Sequence, residues 1–356
     1  MPDYNQKLSQ LLEIVVDEGA SDLHISVGRP PTLRVSGRLT PLVKHEVLSK
    51  EDAEGLGMSL LTEDQRETFK EYKEVDLSYV YKDKARFRVN VYCQSGFVSI
   101  ALRFVPAKIR TIEELGMPPI LHRFTTPSQG FFVIVGPSGQ GKSTTLAALI
   151  DEINHTRQDH IITIEDPIEY IFTPDRCIID QREVGRDTKS FSSALRSSFR
   201  QDPNVLMVGE MRDAETMATA ISAAETGHLV FATLHTNNAA QTIHRIIDSF
   251  PAEQQNQIRS QLSLSLIGVV SQRLVPTMEG ELLPACEIMI VNSAIRNLIR
   301  DKKIHEIDLV IETSSDQGML TLNRSLANLV KDGVISLETA ETYSLNAGEV
   351  RSLVGK

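Results

Sequence analysis

The feature that most constrains this chain is the segment GPSGQGKS at residues 136–143, which has the spacing G-x-x-x-x-G-K-[ST]. The apolar run at 131–135 predicts a buried strand before it, and the run at 144–150 predicts a helix after it. A glycine-rich loop in this context turns backbone N–H groups toward phosphate oxygens, and the helix N-terminus behind it favours negative charge. A glycine-rich turn without a ligand is the alternative interpretation. The sequence therefore predicts a nucleoside triphosphate site.

The residues at the end of this loop have distinct predicted roles. Lys142 is expected to reach the β- and γ-phosphates, and the hydroxyl of Ser143 is expected to bind Mg²⁺. ATP and Mg²⁺ are the expected cofactors, and no other metal is expected because no His, Cys and Asp grouping has metal-ligand spacing. The residues predicted to contact the nucleotide are Gly136, Pro137, Ser138, Gly139, Gln140, Gly141, Lys142, Ser143 and Thr144.

Composition and charge argue against several other classes of protein. The 356 residues are 41% hydrophobic and 24% charged, as in ordinary globular proteins. The formal net charge is −10 without an offsetting basic run, so nucleic acid is not an expected partner. Cys93, Cys177 and Cys286 are scattered and are interpreted as reduced core residues of a cytosolic protein. No run approaches about 18 apolar residues and the N-terminus lacks an apolar signal core. We therefore expect membrane association only through partners.

Residues 1–105 are predicted to form an N-terminal α+β domain that carries no chemical motif of its own. The predicted helices are 3–19 and 49–72, and the predicted strands are 22–26, 33–39, 75–81, 85–93 and 97–105. In the strand at 85–93, apolar side chains alternate with polar ones that include Arg86 and Arg88. This alternation predicts one buried face and one polar face.

The remainder of the chain has a different pattern. Residues 106–128, with prolines at 118, 119 and 127, are predicted to be a linker and the entry to a second domain at 129–356. Strands alternate with helices there, which is typical of a parallel sheet covered on both faces. The predicted strands are 131–135, 160–165, 205–208 and 228–233, and the helices predicted after residue 238 are 254–274, 293–301 and 320–332. The predicted fold class is α/β, a P-loop domain preceded by a smaller α+β domain.

Acidic residues after two of these strands are candidates for hydrolysis, which needs an acid beside the phosphate loop to hold Mg²⁺ or to orient the attacking water. The run at 205–208 looks like a Walker B strand that leads to Glu210, with glycine where aspartate is usual before the glutamate. Glu210 is therefore predicted to be catalytic and to help hold Mg²⁺. The run at 161–164 leads to Glu165 and Asp166, which are candidates for activating water. Asp166 precedes a proline and is interpreted as a turn residue. Helix capping is the alternative role for both glutamates.

Histidines and arginines complete the set of candidates. His228 and His235 bracket a predicted strand, and His235 is predicted to sense the γ-phosphate, with a satisfied surface histidine as the alternative. Phosphoryl transfer also needs a cation in the transition state, often an arginine from a neighbouring subunit. Arg86 and Arg88 are predicted to supply it, and a solvated or salt-bridged face is the alternative. The other candidate arginines are Arg103, Arg196, Arg200 and Arg212.

Further segments carry a family resemblance. They are ASDLHI at 20–25, TIEDPIE at 163–169, RQDPNVLMVGEMRD at 200–213, TGHLVFATLHTN at 226–237 and AIRNLIR at 294–300. In this order they are similar to the start of the N-terminal domain, the Asp box, the Walker B signature, the His box and the retraction motif of the type II/type IV secretion ATPase superfamily. The match is nearest to its type IV pilus retraction ATPases and covers essentially the whole chain. The departures are Gln140, where serine is common, Asn204, where aspartate is usual, and His244, where asparagine is frequent.

The resemblance implies a PAS-like N-terminal domain, a RecA-like ATPase domain and a homo-hexameric ring with ATP between subunits. It also implies a position at the cytoplasmic face of an inner membrane, with an inner-membrane pilus platform protein and a second retraction ATPase as partners. Such a motor drives pilus retraction and twitching motility. An accessory retraction ATPase and a conjugation-type secretion ATPase are the alternatives within the superfamily. A scaffold that binds ATP without hydrolysing it is the alternative from another class.

Overall fold

The computed structural model describes residues 3–35, 37–82, 85–105 and 108–355. The chain forms two compact units, Met1–Lys108 with Glu169–Ile171, and Ile109–Ile168 with Phe172–Lys356. Within the part of the chain that the structure describes, no helix is both long enough and apolar enough to cross a membrane.

The first unit is an antiparallel sheet covered by helices. Its elements are α1 (Tyr4–Asp17), β1 (Asp22–Ser26), β2 (Thr32–Val35), β3 (Arg38–Pro41), α2 (Lys50–Leu60), α3 (Glu63–Tyr72), β4 (Glu74–Tyr81), β5 (Ala85–Gln94) and β6 (Phe97–Val105). The strands form one sheet in the order β3-β2-β1-β6-β5-β4, and neighbouring strands are antiparallel. Leu12 and Val15 of α1 share a buried core with Phe87 and Val89 of β5. This mixture of helices and strands confirms the predicted α+β class of the N-terminal part.

Some predictions for this unit are wrong in detail. The single strand predicted at 33–39 is the hairpin of β2 and β3, because Gly37 has a φ of +79° and reverses the chain. The single helix predicted at 49–72 is α2 followed by α3, because Thr62 starts a new helix with a capping box. Cys93, which was expected in the core, is exposed.

The second unit is built on a mainly parallel sheet. Its elements are a short 3-10 helix (Pro119–Phe124), β7 (Gly130–Val135), α4 (Lys142–Thr156), β8 (His160–Glu165), β9 (Ile178–Glu183), α5 (Phe191–Ser198), β10 (Val205–Val208), α6 (Ala214–Glu225), β11 (Leu229–Leu234), α7 (Ala239–Asp248), α8 (Ala252–Ser265), β12 (Leu266–Pro276), β13 (Leu282–Ile290), α9 (Ser293–Arg300), α10 (Ile307–Thr313), α11 (Leu322–Lys331), α12 (Leu337–Tyr343) and α13 (Ala347–Val354). The sheet order is β13-β12-β7-β11-β10-β8-β9, in which β13 alone is antiparallel to its neighbour.

This strand order positions the site. Strand β7 is buried along its whole length and ends at the phosphate loop. The sequence analysis expected the acid directly beside the phosphate loop. In the sheet, β11 lies between β7 and β10, so the strand that leads to Glu210 is not adjacent to the loop strand. This strand order places His235, the residue that follows β11, between the loop and Glu210.

The C-terminal part contains more sheet than was predicted. The helix predicted at 254–274 is wrong: α8 ends at Ser265, and β12 begins at Leu266. Val269 and Val270 of β12 are fully buried beside β7, and β-branched residues suit a strand with strands on both sides. Strands β9 and β13 were not predicted. The helices expected near 293–301 and 320–332 are present as α9 and α11.

The predicted linker contributes side chains to this unit. From Ile109 onward the segment belongs to the second unit. Leu121 and Phe124 of its 3-10 helix are buried, and Phe124 stacks on Phe132 of β7 with ring centroids 4.3 Å apart. Part of the segment predicted as a linker therefore packs against the strand that leads to the phosphate loop.

Candidate active site

The phosphate loop depends on its glycines for its shape. Gly139 and Gly141 have φ of +77° and +76°, in the left-handed region that glycine enters without strain. Gly136 has a φ of +146°, and a Cβ there would lie 2.4 Å from the backbone oxygen of Gln272 on β12. No side chain in the described structure caps the N-terminus of α4 at Gly141, so the first turn of this helix presents backbone donors. The loop therefore has the geometry of an anion cradle.

Lys142 lies inside this loop. Its ammonium donates hydrogen bonds to the carbonyl oxygens of Gly136 and Pro137, each at 2.8 Å, and lies 3.4 Å from Nδ1 of His235. The lysine is 8% exposed. Because an ammonium group can only donate, Nδ1 of His235 is the acceptor in this pair. The lysine thus connects the loop to the end of β11.

Glu210 is the other partner of His235. Its Oε1 lies 3.2 Å from Nε2 of the histidine. Its Oε2 accepts a hydrogen bond from Nε of Arg212 at 2.9 Å and forms an ion pair with Nη2 of the same arginine at 2.8 Å. A neutral imidazole with its proton on Nε2 satisfies both contacts of His235. The hydrogen bond from Arg212 to Glu210 raises the pKa of the guanidinium above its usual value, although burial lowers it. Lys142, His235 and Glu210 therefore form one continuous cluster.

Glu165 has a different environment. It is 6% exposed, and its Oε1 accepts hydrogen bonds from Oγ1 of Thr163 at 2.7 Å and from Nε2 of Gln181 at 3.1 Å. The neighbouring Asp166 is paired with Arg212, whose Nη1 lies 3.4 Å from its Oδ2. The two predicted acids thus end adjacent parallel strands, β8 and β10, but only Glu210 contacts His235 in the described contacts.

The residues predicted to bind Mg²⁺ form a suitable donor set. Ser143 lies beside Thr144 in the first turn of α4, and Glu210 follows β10 in the same sheet. A hydroxyl and a carboxylate are the hard oxygen donors that Mg²⁺ prefers, and phosphate oxygens supply the others when nucleotide is bound. Among the described residues, no group of three or more His, Cys, Asp or Glu side chains could hold a metal ion by itself. The donor set therefore fits a metal that arrives with a nucleotide.

A cleft of about 470 Å³ opens beside Glu210 and His235. Its other lining residues are Met211, Arg212, Leu234, Thr236, Gln241, His244, Arg245 and Asp248. The histidine and the glutamate thus lie between the phosphate loop on one side and a polar cleft on the other.

The arginines predicted to act from a neighbouring subunit differ from one another. Arg86 is 8% exposed and its Nε donates to Oγ of Ser78, so the expectation that it stands on an open polar face is wrong. Arg88 is exposed on the same strand. Both belong to the first unit, whereas Lys142 and Glu210 belong to the second.

Other candidate arginines are paired within the chain. Arg212 binds Glu210, Arg196 forms an ion pair with Glu215, and Arg103 binds Asp22 at 3.0 Å. Pairing within the chain was the alternative that the sequence analysis gave for each of them.

Sequence reasoning missed Gln272. This residue is 2% exposed and hydrogen bonds both to the phosphate loop and to α4. It lies in the part of β12 that was predicted to be helical, so no loop contact could be inferred for it. A run of buried β-branched residues just before it was the available signal of a strand.

Comparison with known proteins gives concordant results. Residues 4–308 match the family model of the type II/IV secretion system protein. The chain is 46% identical to the type IV pilus retraction ATPase PilT of Pseudomonas aeruginosa over 94% of this chain and 96% of that protein. It is 41% identical to the type IV pilus ATPase PilU of the same organism over 98% of this chain and 91% of that protein. A crystal structure of the pilus retraction motor PilT with bound ADP superposes with a TM-score of 0.90 at 44% identity, and the match covers 97% of this chain and 98% of that one.

Proposed function

The chain belongs to the type II/IV secretion system protein family and is an ATPase of that family, and we propose that it is a hexameric motor that retracts type IV pili. The observation that carries the proposal is the continuous Lys142–His235–Glu210 cluster in a chain similar to PilT over nearly the full length of both proteins. The fold alone would support only an ATPase, since one fold serves many functions.

We assign the chemistry to residues of the cluster. Lys142 and the loop N–H groups bind the β- and γ-phosphates. Ser143 and Glu210 would hold Mg²⁺, which would neutralise phosphate charge when it is bound with the nucleotide. Glu210 orients and deprotonates the attacking water. His235 reports the state of the γ-phosphate, because it contacts both the loop lysine and the catalytic acid. Glu165 supports the end of β8 from its buried position.

We propose that the site is completed by arginine from the adjacent subunit of a ring. Arg88 is the better candidate because it is exposed, whereas Arg86 is buried and bonded to Ser78. An Arg88→Ala variant should then bind ATP and turn it over slowly. Arg66→Ala, which removes a similarly exposed arginine of the same unit, is the matched control and should keep wild-type turnover.

We further propose that the ring works at the cytoplasmic face of the inner membrane. It would be held there by a pilus platform protein and assisted by a second retraction ATPase, a proposal that rests on the similarity of the chain to pilus ATPases. An accessory retraction ATPase is the second candidate function. The 41% identity to PilU over 98% of the chain supports it.

The test is deletion of the gene and complementation with Lys142→Ala, with Lys189→Ala as a control at an exposed loop lysine. If the protein retracts pili, the deletion strain should accumulate surface pili and lose twitching. Only the wild-type gene and the Lys189→Ala variant should restore normal pilus number and twitching. If deletion weakens retraction force but leaves twitching in place, the accessory function is correct. Unchanged pilus number and twitching would exclude both.

A further inference from the structure

Strand β12 packs against the start of the phosphate loop. Ser271 is in register with Val135, the last residue of β7, so the next residue, Gln272, lies opposite Gly136, where the loop begins. The close approach of these backbones explains why a Cβ at Gly136 would lie 2.4 Å from the backbone oxygen of Gln272. The backbone of β12 therefore lies directly against the backbone of the loop at Gly136.

The side chain of Gln272 contacts both the phosphate loop and helix α4. Its Oε1 accepts a hydrogen bond from Oγ1 of Thr145 in the first turn of α4, at 2.8 Å. Its Nε2 donates to the backbone oxygen of Gln140 at 2.8 Å. A Cβ at Gly141 would lie 3.0 Å from the same Nε2. One buried amide thus contacts the loop at Gln140 and helix α4 at Thr145, on either side of Lys142 in the sequence.

The side chain of Gln140 also forms a hydrogen bond with strand β12. Its Oε1 accepts a hydrogen bond from the backbone N–H of Leu274 at 2.7 Å. Together with the bond from Gln272, this contact ties both the backbone and the side chain of Gln140 to β12.

We propose that Gln272 is a positioning residue for nucleotide binding, which with Gln140 holds the phosphate loop in its anion-binding shape. A loop of glycines has many alternative conformations, and residues that fix it in advance reduce the entropy that binding must otherwise overcome. Gln272 acts through the loop and through Thr145, without a contact to nucleotide of its own. The inference rests on the nucleotide-binding part of the proposed function.

The experiment compares Gln272→Met with Asn323→Leu in the full-length protein. Methionine keeps the length of glutamine and removes both of its hydrogen bonds. Asn323 is a matched control because it is 6% exposed, donates to Glu349 and accepts from Leu345 among the C-terminal helices. Affinity for ADP and for ATP is measured by calorimetric titration, turnover at saturating ATP by phosphate release, and stability by urea unfolding.

The proposal expects Gln272→Met to weaken ADP and ATP binding about tenfold, the change that about 1.4 kcal/mol produces. Turnover at saturating ATP should stay within about threefold of wild type, because no catalytic group is removed. Asn323→Leu should lose comparable stability and keep wild-type affinity. Wild-type affinity in Gln272→Met would overturn the proposal, whereas failure of the wild-type protein to bind either nucleotide would instead overturn the proposed function.

A double variant separates positioning from packing. In Gln272→Met/Thr145→Val the hydroxyl that lost its acceptor is removed as well, so stability should recover. Affinity should remain low, because the backbone oxygen of Gln140 still lacks its bond to the side chain at position 272, and full recovery of affinity would reduce Gln272 to a packing role. If Gln272→Met does not fold, Gln140→Ala decides the question from the loop side: affinity reduced several-fold supports the proposal, and unchanged affinity refutes it.

Discussion

Replacing Glu210 with glutamine tests the proposed mechanism most directly. The amide keeps the size of the carboxylate and one acceptor oxygen, so the contact with Nε2 of His235 can persist. It loses the negative charge that pairs with Arg212 and the ability to take a proton from water. The charge that loses its partner is Arg212, whose side chain is 58% exposed, so no buried charge is left unpaired and the fold should tolerate the change.

The expected effect is large on turnover and small on binding. Loss of a general base typically lowers the rate about 10²–10⁴-fold, which corresponds to about 3–5 kcal/mol of transition-state stabilisation. Loss of the exposed pair with Arg212 should cost at most about 1 kcal/mol of stability. Binding of ATP should stay within a few-fold, because Lys142, Ser143 and the loop N–H groups are unchanged and the amide oxygen of glutamine remains an oxygen donor for Mg²⁺. A reduced kcat with a nearly constant Kd is therefore the expected signature.

Steady-state phosphate release and calorimetric ATP titration measure the two quantities on the same preparation. Glu165→Gln is the matched variant, since it makes the same chemical change at the end of the adjacent strand. Its main effect should be on stability, because the carboxylate is 6% exposed and accepts bonds from Thr163 and Gln181. If Glu210→Gln hydrolyses ATP at a near-normal rate while Glu165→Gln does not, the catalytic assignment passes to Glu165.

Further predictions concern parts of the second unit away from this cluster. Leu298→Ala in α9 should lower the free energy of unfolding by only about 1–2 kcal/mol, because the side chain is half-buried. ATP turnover should stay within a few-fold of wild type, while pilus retraction in cells is lost. A parallel loss of ATPase activity would mean that the helix only packs against the rest of the unit. Burial raises the pKa of Glu287 to about 7, so its ionisation opposes folding above its unfolded pKa of about 4.5. The stability that Glu287→Gln gains over wild type in urea titrations should therefore grow between about pH 4.5 and 7. A constant difference across that range would contradict this assignment. The pKa of His122 is raised above 6.5, first by its hydrogen bond to Glu152, so the stability that the protonated ring contributes is present below pH 6.5 and is lost as the pH rises through the folded pKa. The stability difference between wild type and His122→Gln should therefore shrink as the pH rises.

Much of this molecule could be predicted because its strongest signals are local. The phosphate loop has a fixed spacing, and the strands at 131–135 and 205–208 are short apolar runs that no amphipathic helix would produce. The acids and the histidine at strand ends were found because parallel strands bring their carboxyl ends to one edge of a sheet. Those arguments need only neighbouring residues and the direction of the strands.

The remainder depended on contacts between distant segments. The strand β12 was predicted as part of a helix because the pattern of α8 runs into it, and its identity as a strand comes from pairing with β7 and β13. Arg86 is buried and bonded to Ser78 of the neighbouring strand, a contact that alternation along one strand does not reveal. Gln272 was missed for the same reason, since its partners Gln140 and Thr145 lie more than a hundred residues away in the sequence.

The order of the strands also decides between the two candidate acids. Because β11 separates β7 from β10, the histidine that follows β11 can contact Lys142 on one side and Glu210 on the other. Strand β8 lies one position further from the loop strand, and Glu165 is bonded to Gln181 of β9, the strand at the edge of the sheet. A change at the phosphates therefore has a direct route from Lys142 through His235 to Glu210. This argument favours Glu210 as the group that acts on the water and Glu165 as the group that supports the end of β8.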